Sequence, residues 1–322
     1  MRVVFAGTPE FAVASLRAVA ARHEVPLVLS QPDRPKGRGR VLEATPVKAA
    51  AAALGLEVVQ PEKIGEAVEV IRAAAPDVLV TAAYGQKVPD RVLQLAKYGG
   101  LNVHASLLPR HRGAAPVAYA ILAGDAEAGV SIFRMVKAMD AGPVLVRAGF
   151  PAGDSDTAGE LEARISAAAA PALLEALRLL ESGEGRFVEQ DPAKATLAPK
   201  LWRADGALDF ARPAVELARR VRAMTPWPGA AAAFLKPGAK PLRVTILSAS
   251  PVAGEFSGKP GDVIEVRKDA VRVRTGDGAL DLLRLQPESR KPVTADEFAN
   301  GFRLRDTAGC RFELPMDAHP AP

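Results

Sequence analysis

Cysteine is almost absent from this chain: Cys310 is the only one in 322 residues. A single thiol forms no internal disulfide and no cluster with the spacing of a zinc site, so no metal is expected and a reducing cytoplasm is the simplest compartment. Long apolar runs are missing as well. No stretch approaches the roughly 20 apolar residues of a membrane span, and the opening "MRVVFAGTPEFAV" holds none long enough for a signal peptide. A cytoplasmic monomer that engages no membrane is the expectation. Glycine-rich phosphate loops are also lacking. The turn "AGTPEF" follows an apolar run and opens a helix, but it has one glycine where G-x-G-x-x-G needs three, and Pro9 removes a backbone donor. A nicotinamide dehydrogenase is therefore disfavoured, and no P-loop occurs.

What is present is ordinary globular material, 48% hydrophobic and 25% charged. The length suits roughly two domains, each with its own core. The net charge is +5, and most of the excess falls after Trp202, where 19 basic residues face 15 acidic ones. That bias is compatible with a polyanionic partner and equally with a well-solvated surface.

Strand and helix patterns alternate through the first half. Strands are expected at 2–7, 25–31, 56–61, 77–83 and 99–106, with helices at 45–54, 65–76 and 115–125; Thr8 and Pro9 suit the start of a helix after the first strand. Strands apolar on both faces and alternating with helices imply a doubly wound, mostly parallel α/β sheet of Rossmann-like type. Ligands in such sheets lie beyond the carboxyl ends of the strands, so loops 7–9, 31–45, 84–89 and 104–113 should converge. "AGVSIFRMV" and "GPVLVRAGF" read as two strands around "KAMDAG", and 156–185 carries a long helical pattern. We divide the chain into a catalytic domain at 1–186, a linker at 187–208 and a C-terminal domain at 209–322. The last domain shows a helix at 213–224, then short alternating runs between Gly-rich turns, the pattern of a small β-barrel. "MDAHPAP" reads as a disordered tail.

Two stretches carry candidate chemistry. In "GLNVHASLLPRHRG", Asn102 and His104 lie two apart, so on a strand both side chains point the same way. An amide that can donate to an oxyanion would then sit beside an imidazole that exchanges protons near neutral pH. A buried, hydrogen-bonded structural pair explains the same spacing. Either reading calls for a carboxylate near the ring, and Asp140 in "KAMDAGP" is the best-placed acid in sequence. The second stretch, "QPDRPKGRGRVLEATPVK", gathers Arg34, Lys36, Arg38, Arg40 and Lys48 in a Pro- and Gly-punctuated loop beside the expected cleft. Such a segment can seize phosphates and order on binding, although charge runs are usually solvated faces.

"LNVHASLLPRHRGAAP" followed by "GVSIFRMVKAMDAGPVL" resembles the signature of the 10-formyltetrahydrofolate-dependent formyltransferase family. "VVFAGTPEFA", "QPDRPKGRGR", "AAYGQKVP", "AMTPWPG" and "TGDGALDLLRLQPESRKPVTADEF" extend the resemblance from end to end to members that act on methionyl-tRNA. That resemblance implies a formyltransferase α/β domain and a C-terminal OB-like barrel that helps to hold initiator methionyl-tRNA. It implies Asn102, His104 and Asp140 as the catalytic set; the mechanism we expect from them has Asn102 and His104 at the oxyanion and Asp140 orienting His104 and a water. It further implies Ser106, Leu107, Leu108 and Pro109 at the folate site, and Arg34, Lys36, Arg38 and Arg40 on the tRNA. 10-Formyltetrahydrofolate is then a co-substrate, and no metal is required. The alternative within the family is a small acceptor amine, such as a nucleotide sugar or glycinamide ribonucleotide. His111 departs from the family, which often has an aromatic residue there.

Overall fold

Val3–Ala6 are fully buried, and a strand apolar on both faces is satisfied only inside a sheet covered on both sides. A computed structural model describes residues 1–36 and 41–315. Arg38, Arg40 and the tail at 316–322 lie outside the described residues, and Lys36 is described by its backbone alone.

As far as residue 199, the order is β1 (Arg2–Gly7), α1 (Val13–Ala20), β2 (Glu24–Leu29), β3 (Arg34–Lys36), β4 (Val41–Glu43), α2 (Pro46–Ala53), β5 (Val58–Val59), α3 (Val68–Ala73), β6 (Val78–Ala82), α4 (Asp90–Leu93), β7 (Gly100–His104), β8 (Arg112–Gly113), α5 (Pro116–Ala123), β9 (Glu127–Arg134), β10 (Val144–Pro151), α6 (Ala158–Ser182) and β11 (Leu197–Ala198). Two compact units result. Residues 1–116, 126–152 and 161–199 form the first, and 117–125, 153–160 and 200 onward form the second.

The first unit is built on a sheet of order β10-β9-β7-β6-β1-β2-β5. From β7 to β5 all pairs are parallel, while β9 and β10 run antiparallel at the other edge. The chain winds one way from β1 to β2 and returns to the other side at β6, so the crevice beyond β1 and β6 is a topological switch point. Loops meet there as the strand pattern requires. Thr8 Oγ1 donates to the Tyr84 carbonyl at 2.9 Å, and Gln31 Nε2 reaches the same oxygen at 3.2 Å.

Several elements differ from the sequence pattern. The apolar run at 65–76 begins as a 3-10 turn, Ile64–Ala67, before α3. The basic segment folds back as the antiparallel pair of β3 and β4. It is anchored at its base by Asp33, which pairs with Lys48 and accepts from Gln60 Nε2 at 2.7 Å. Those contacts hold the Asp33 carboxyl below its usual range, chiefly through the Lys48 hydrogen bond. Lys48 is thus engaged within the protein. Segment 187–208 is not featureless either: β11 lies parallel to β8.

The second unit adds α7 (Ala214–Ala223), β12 (Ala230–Leu235), β13 (Leu242–Val252), β14 (Val263–Val266), β15 (Val271–Arg274), β16 (Ala279–Pro287), β17 (Val293–Thr294), α8 (Ala295–Phe302) and β18 (Arg311–Glu313). Its sheet runs β14-β15-β16-β13-β12-β18. Val263 N donates to Cys310 O at 3.0 Å and Phe312 N to Gly261 O at 2.8 Å, which brings the two ends together and nearly closes a barrel. Phe234 fills it, with ring centroids 5.2 Å from Phe298 and 5.1 Å from Phe312. A reciprocal cap between Thr294 and Glu297 starts α8. Among the described residues no helix is long and apolar enough to cross a membrane.

Candidate active site

Asn102 and His104 reach the cleft because β7 ends at His104, and its period of two puts both side chains on one face. Thr81 on β6 lies directly opposite Asn102 in the parallel register. Its hydroxyl donates to Asn102 Oδ1 at 2.6 Å. In this arrangement the amide oxygen faces the strand side and the NH2 group is turned the other way.

His104 is 5% exposed. Its Nε2 lies 2.9 Å from the backbone carbonyl of His111. A carbonyl only accepts, so this contact places a hydrogen on Nε2 and leaves Nδ1 as the nitrogen for chemistry. Nδ1 is 3.7 Å from Asp140 Oδ2, close enough for an ion pair and too long for a hydrogen bond. Burial holds the imidazole below its ordinary value, with the Asp140 carboxylate and the His111 carbonyl pulling the other way and the His111 ring adding to the depression. Near neutral pH the ring is therefore uncharged, with the Nδ1 lone pair facing a carboxylate. Such a nitrogen accepts a proton, and the imidazolium formed is stabilised where it stands.

Asp140 comes from the turn between β9 and β10, where it adopts a left-handed conformation with φ 51°. Its Oδ2 accepts from the Gly113 N–H at 2.8 Å. His111 is also left-handed, at φ 59°, and its N–H donates to Thr196 Oγ1 at 2.8 Å. Two such residues beside one imidazole are a concentration of strain that the surrounding bonds must hold.

The turn after β7 is shaped from within. Ser106 Oγ donates to Arg110 O at 2.6 Å, while Ser131 Oγ donates to Ser106 O at 2.7 Å and accepts from Leu108 N at 3.0 Å. Leu108 packs with Phe133 and Val144. Leu107 lies over Gly129 and Gly149, where an added Cβ would stand 2.8 Å and 3.3 Å from its methyl groups. The side chains of Ser106 and Leu108 are thus buried, and Pro109 is half-buried at the turn. The structure brings Asn102, His104 and Asp140 together and sets the 106–109 turn directly after them. Arg34 is exposed on β3.

Sequence reasoning passed over Thr81, Thr196 and Gln190. Thr81 could have been flagged as the polar residue within the apolar run "DVLVTAA". Nothing local marks the other two.

Comparison with known proteins agrees with this architecture. Residues 1–177 match the model of the formyl transferase family and residues 200–303 that of the formyl transferase C-terminal domain. A curated methionyl-tRNA formyltransferase of Aromatoleum aromaticum is 46% identical over 97% of this chain and 97% of its own length. HypX from Aquifex aeolicus, solved in complex with tetrahydrofolic acid, superposes with a TM-score of 0.62 at 22% identity; it covers 100% of this chain, which spans only 50% of HypX. An N-formyltransferase from Helicobacter canadensis, solved with folinic acid and dTDP-3-aminofucose, gives a TM-score of 0.65 at 17% identity, covering 87% of this chain and 98% of its own. Both structures share the fold. With family models matching most of its length and a relative of such identity from end to end, this chain belongs to the formyl transferase family.

Proposed function

We propose that this chain transfers the formyl group of 10-formyltetrahydrofolate to the free α-amino group of initiator methionyl-tRNA. The observation that carries the reading is the end-to-end match, at 46% identity, to a relative named for that reaction. The site supports it, because an amide donor, a neutral imidazole and a carboxylate suit acyl transfer to an amine. Catalysis is assigned to the domain at 1–186 and tRNA holding to the one at 209–322, joined by 187–208.

An α-amino group has a reference pKa of about 7.7–8.0, so a useful fraction is an unprotonated nucleophile near neutral pH. Its lone pair attacks the formyl carbon, and the carbonyl π electrons move to oxygen. The Asn102 NH2 donates to that oxyanion, a role worth about 3–4 kcal/mol where a donor is preorganised. The nitrogen must then lose a proton, and His104 Nδ1 takes it directly or through a water ordered by Asp140. Collapse of the intermediate breaks the bond to the folate nitrogen, which leaves with the proton returned from the imidazolium. His104 therefore acts first as a base rather than as a charged partner of the oxyanion, because its burial disfavours the charged form before attack.

The 106–109 turn serves as one wall of the folate site, offering backbone groups and the Leu107 surface. Arg34, Lys36, Arg38 and Arg40 are assigned to the acceptor stem. The test is an assay with 10-formyltetrahydrofolate and either methionyl-tRNA or small amines, glycinamide ribonucleotide and an amino-sugar nucleotide among them. Formylation of methionyl-tRNA alone is expected; formylation confined to a small amine overturns the tRNA reading.

A further inference from the structure

Asp140 stands on a turn with little support of its own. Residues 136–139 are exposed, and a left-handed φ of 51° at a non-glycine residue is unfavourable unless neighbours hold it. The support comes from Gln190, which is 7% exposed. Its Nε2 donates to the carbonyls of Asp140 at 2.8 Å and Gly142 at 2.7 Å. Its Oε1 accepts from Arg112 Nε at 3.1 Å and Nη2 at 2.8 Å. Both amide hydrogens and the acceptor oxygen are therefore engaged.

These contacts close a ring. Gln190 joins the Asp140 backbone to Arg112, and the next residue, Gly113, donates its N–H to the Asp140 carboxylate. Gln190 is itself held in register. Val188 and Val144 exchange two backbone hydrogen bonds of 2.8 Å, which lays the segment just before Gln190 against the start of β10.

We propose that Gln190 is a positioning residue for the formyl transfer, holding the Asp140 carboxylate opposite His104 Nδ1 through both ends of its carboxamide. This rests on the reading of Asp140 given above. Losing the clamp lets the turn relax, which moves the carboxylate from the imidazole while the binding surfaces for folate and tRNA keep their shape. A displacement near 1 Å in such a group is enough to slow a reaction by one to two orders of magnitude.

The test is a double-mutant cycle on the full chain with methionyl-tRNA and 10-formyltetrahydrofolate, using Gln190→Ala, Asp140→Asn and both together, with thermal melts alongside. Gln190→Ala is expected to lower kcat about tenfold, to leave both KM values within about twofold, and to move the acid limb of the pH profile downward, since the charge that favours protonated His104 has been displaced. In the Asp140→Asn background the same change should cost almost nothing. Gln190→Glu keeps the size and the Arg112 contact but sets a carboxylate against two carbonyls, and it carries the same comparison if the alanine variant does not fold. An equal loss in both backgrounds, or an unshifted pH limb, overturns the role of Gln190 alone. Wild-type turnover in Asp140→Asn overturns the role of Asp140 and this inference with it.

Discussion

Thr81 and Asn102 meet across adjacent parallel strands, hydroxyl to amide oxygen at 2.6 Å, and that bond decides which end of the carboxamide faces the cleft. Asn102→Ala removes the donor and should lower kcat by about 10²–10³ with KM for both substrates nearly unchanged, the signature of a contact made in the transition state. Thr81→Val keeps the strand and its volume but frees the amide to rotate, so a loss of several-fold is expected, restored in Thr81→Ser. Steady-state kinetics decides both; full turnover in Asn102→Ala would remove it from the oxyanion.

The buried imidazole of His104 predicts a definite pH dependence. Its folded pKa lies below the ordinary value of about 6.5. Between those two values the unfolded chain binds the proton and the folded chain does not, so stability rises with pH there and is lost as pH falls below about 6.5. His104→Gln should flatten part of that acid loss in denaturant melts run from pH 7 to pH 5. In the intact chain, kcat should fall on an acid limb below pH 6.5, where the base becomes protonated. A limb well above that pH would mean that another group controls the rate.

Gly113 offers a test of the local backbone. It has φ 126°, and a Cβ there would lie 2.5 Å from the Ala198 carbonyl oxygen. Gly113→Ala should therefore destabilise the fold by about 1–3 kcal/mol and also reduce turnover, since its N–H holds the Asp140 carboxylate. Folding and activity measured on the same sample would show both losses; a stable, fully active variant would contradict the packing.

Asp281 probes the second unit away from any catalysis. Burial pushes its carboxyl upward, but hydrogen bonds from Arg272 and Arg267 together outweigh that and hold it below the usual range. The contacts are 2.7 Å to Arg272 Nε and 2.6 Å to Arg267 Nη2. Asp281→Asn removes the buried carboxylate of a network in which Arg267 keeps Glu265 and Asp269 and Arg272 keeps Glu265, and the arginines are partly exposed, so a loss of about 1–2 kcal/mol is expected near neutral pH. Because the folded pKa is depressed, the carboxylate contributes above about pH 4 and its contribution fades as pH falls through the folded value. The difference between wild type and variant in urea melts should narrow in acid.

Much of this protein was readable in local patterns. Apolar runs alternating with helices led to the parallel sheet, and alternating runs after residue 240 led to the barrel, because backbone periodicity acts between near neighbours. The pairing of Asn102 with His104 followed from a strand's period of two, and the Gly-Pro turn singled out Asp140. The basic segment was legible as charge but not as the antiparallel pairing of β3 with β4, nor as the anchoring of Asp33 by Lys48 and Gln60.

What only the tertiary structure decided is how those groups are held. His104 gives Nε2 to the His111 carbonyl and keeps Nδ1 for Asp140, a choice set by a left-handed turn that no residue pattern announced. Gln190 reaches Asp140 across 50 positions and Thr196 reaches His111 across 85. Sequence determined which chemical groups the strand ends deliver, since that depends on local geometry alone. Their protonation and aim depend on burial and on hydrogen bonds between distant segments, which exist only once the chain has folded.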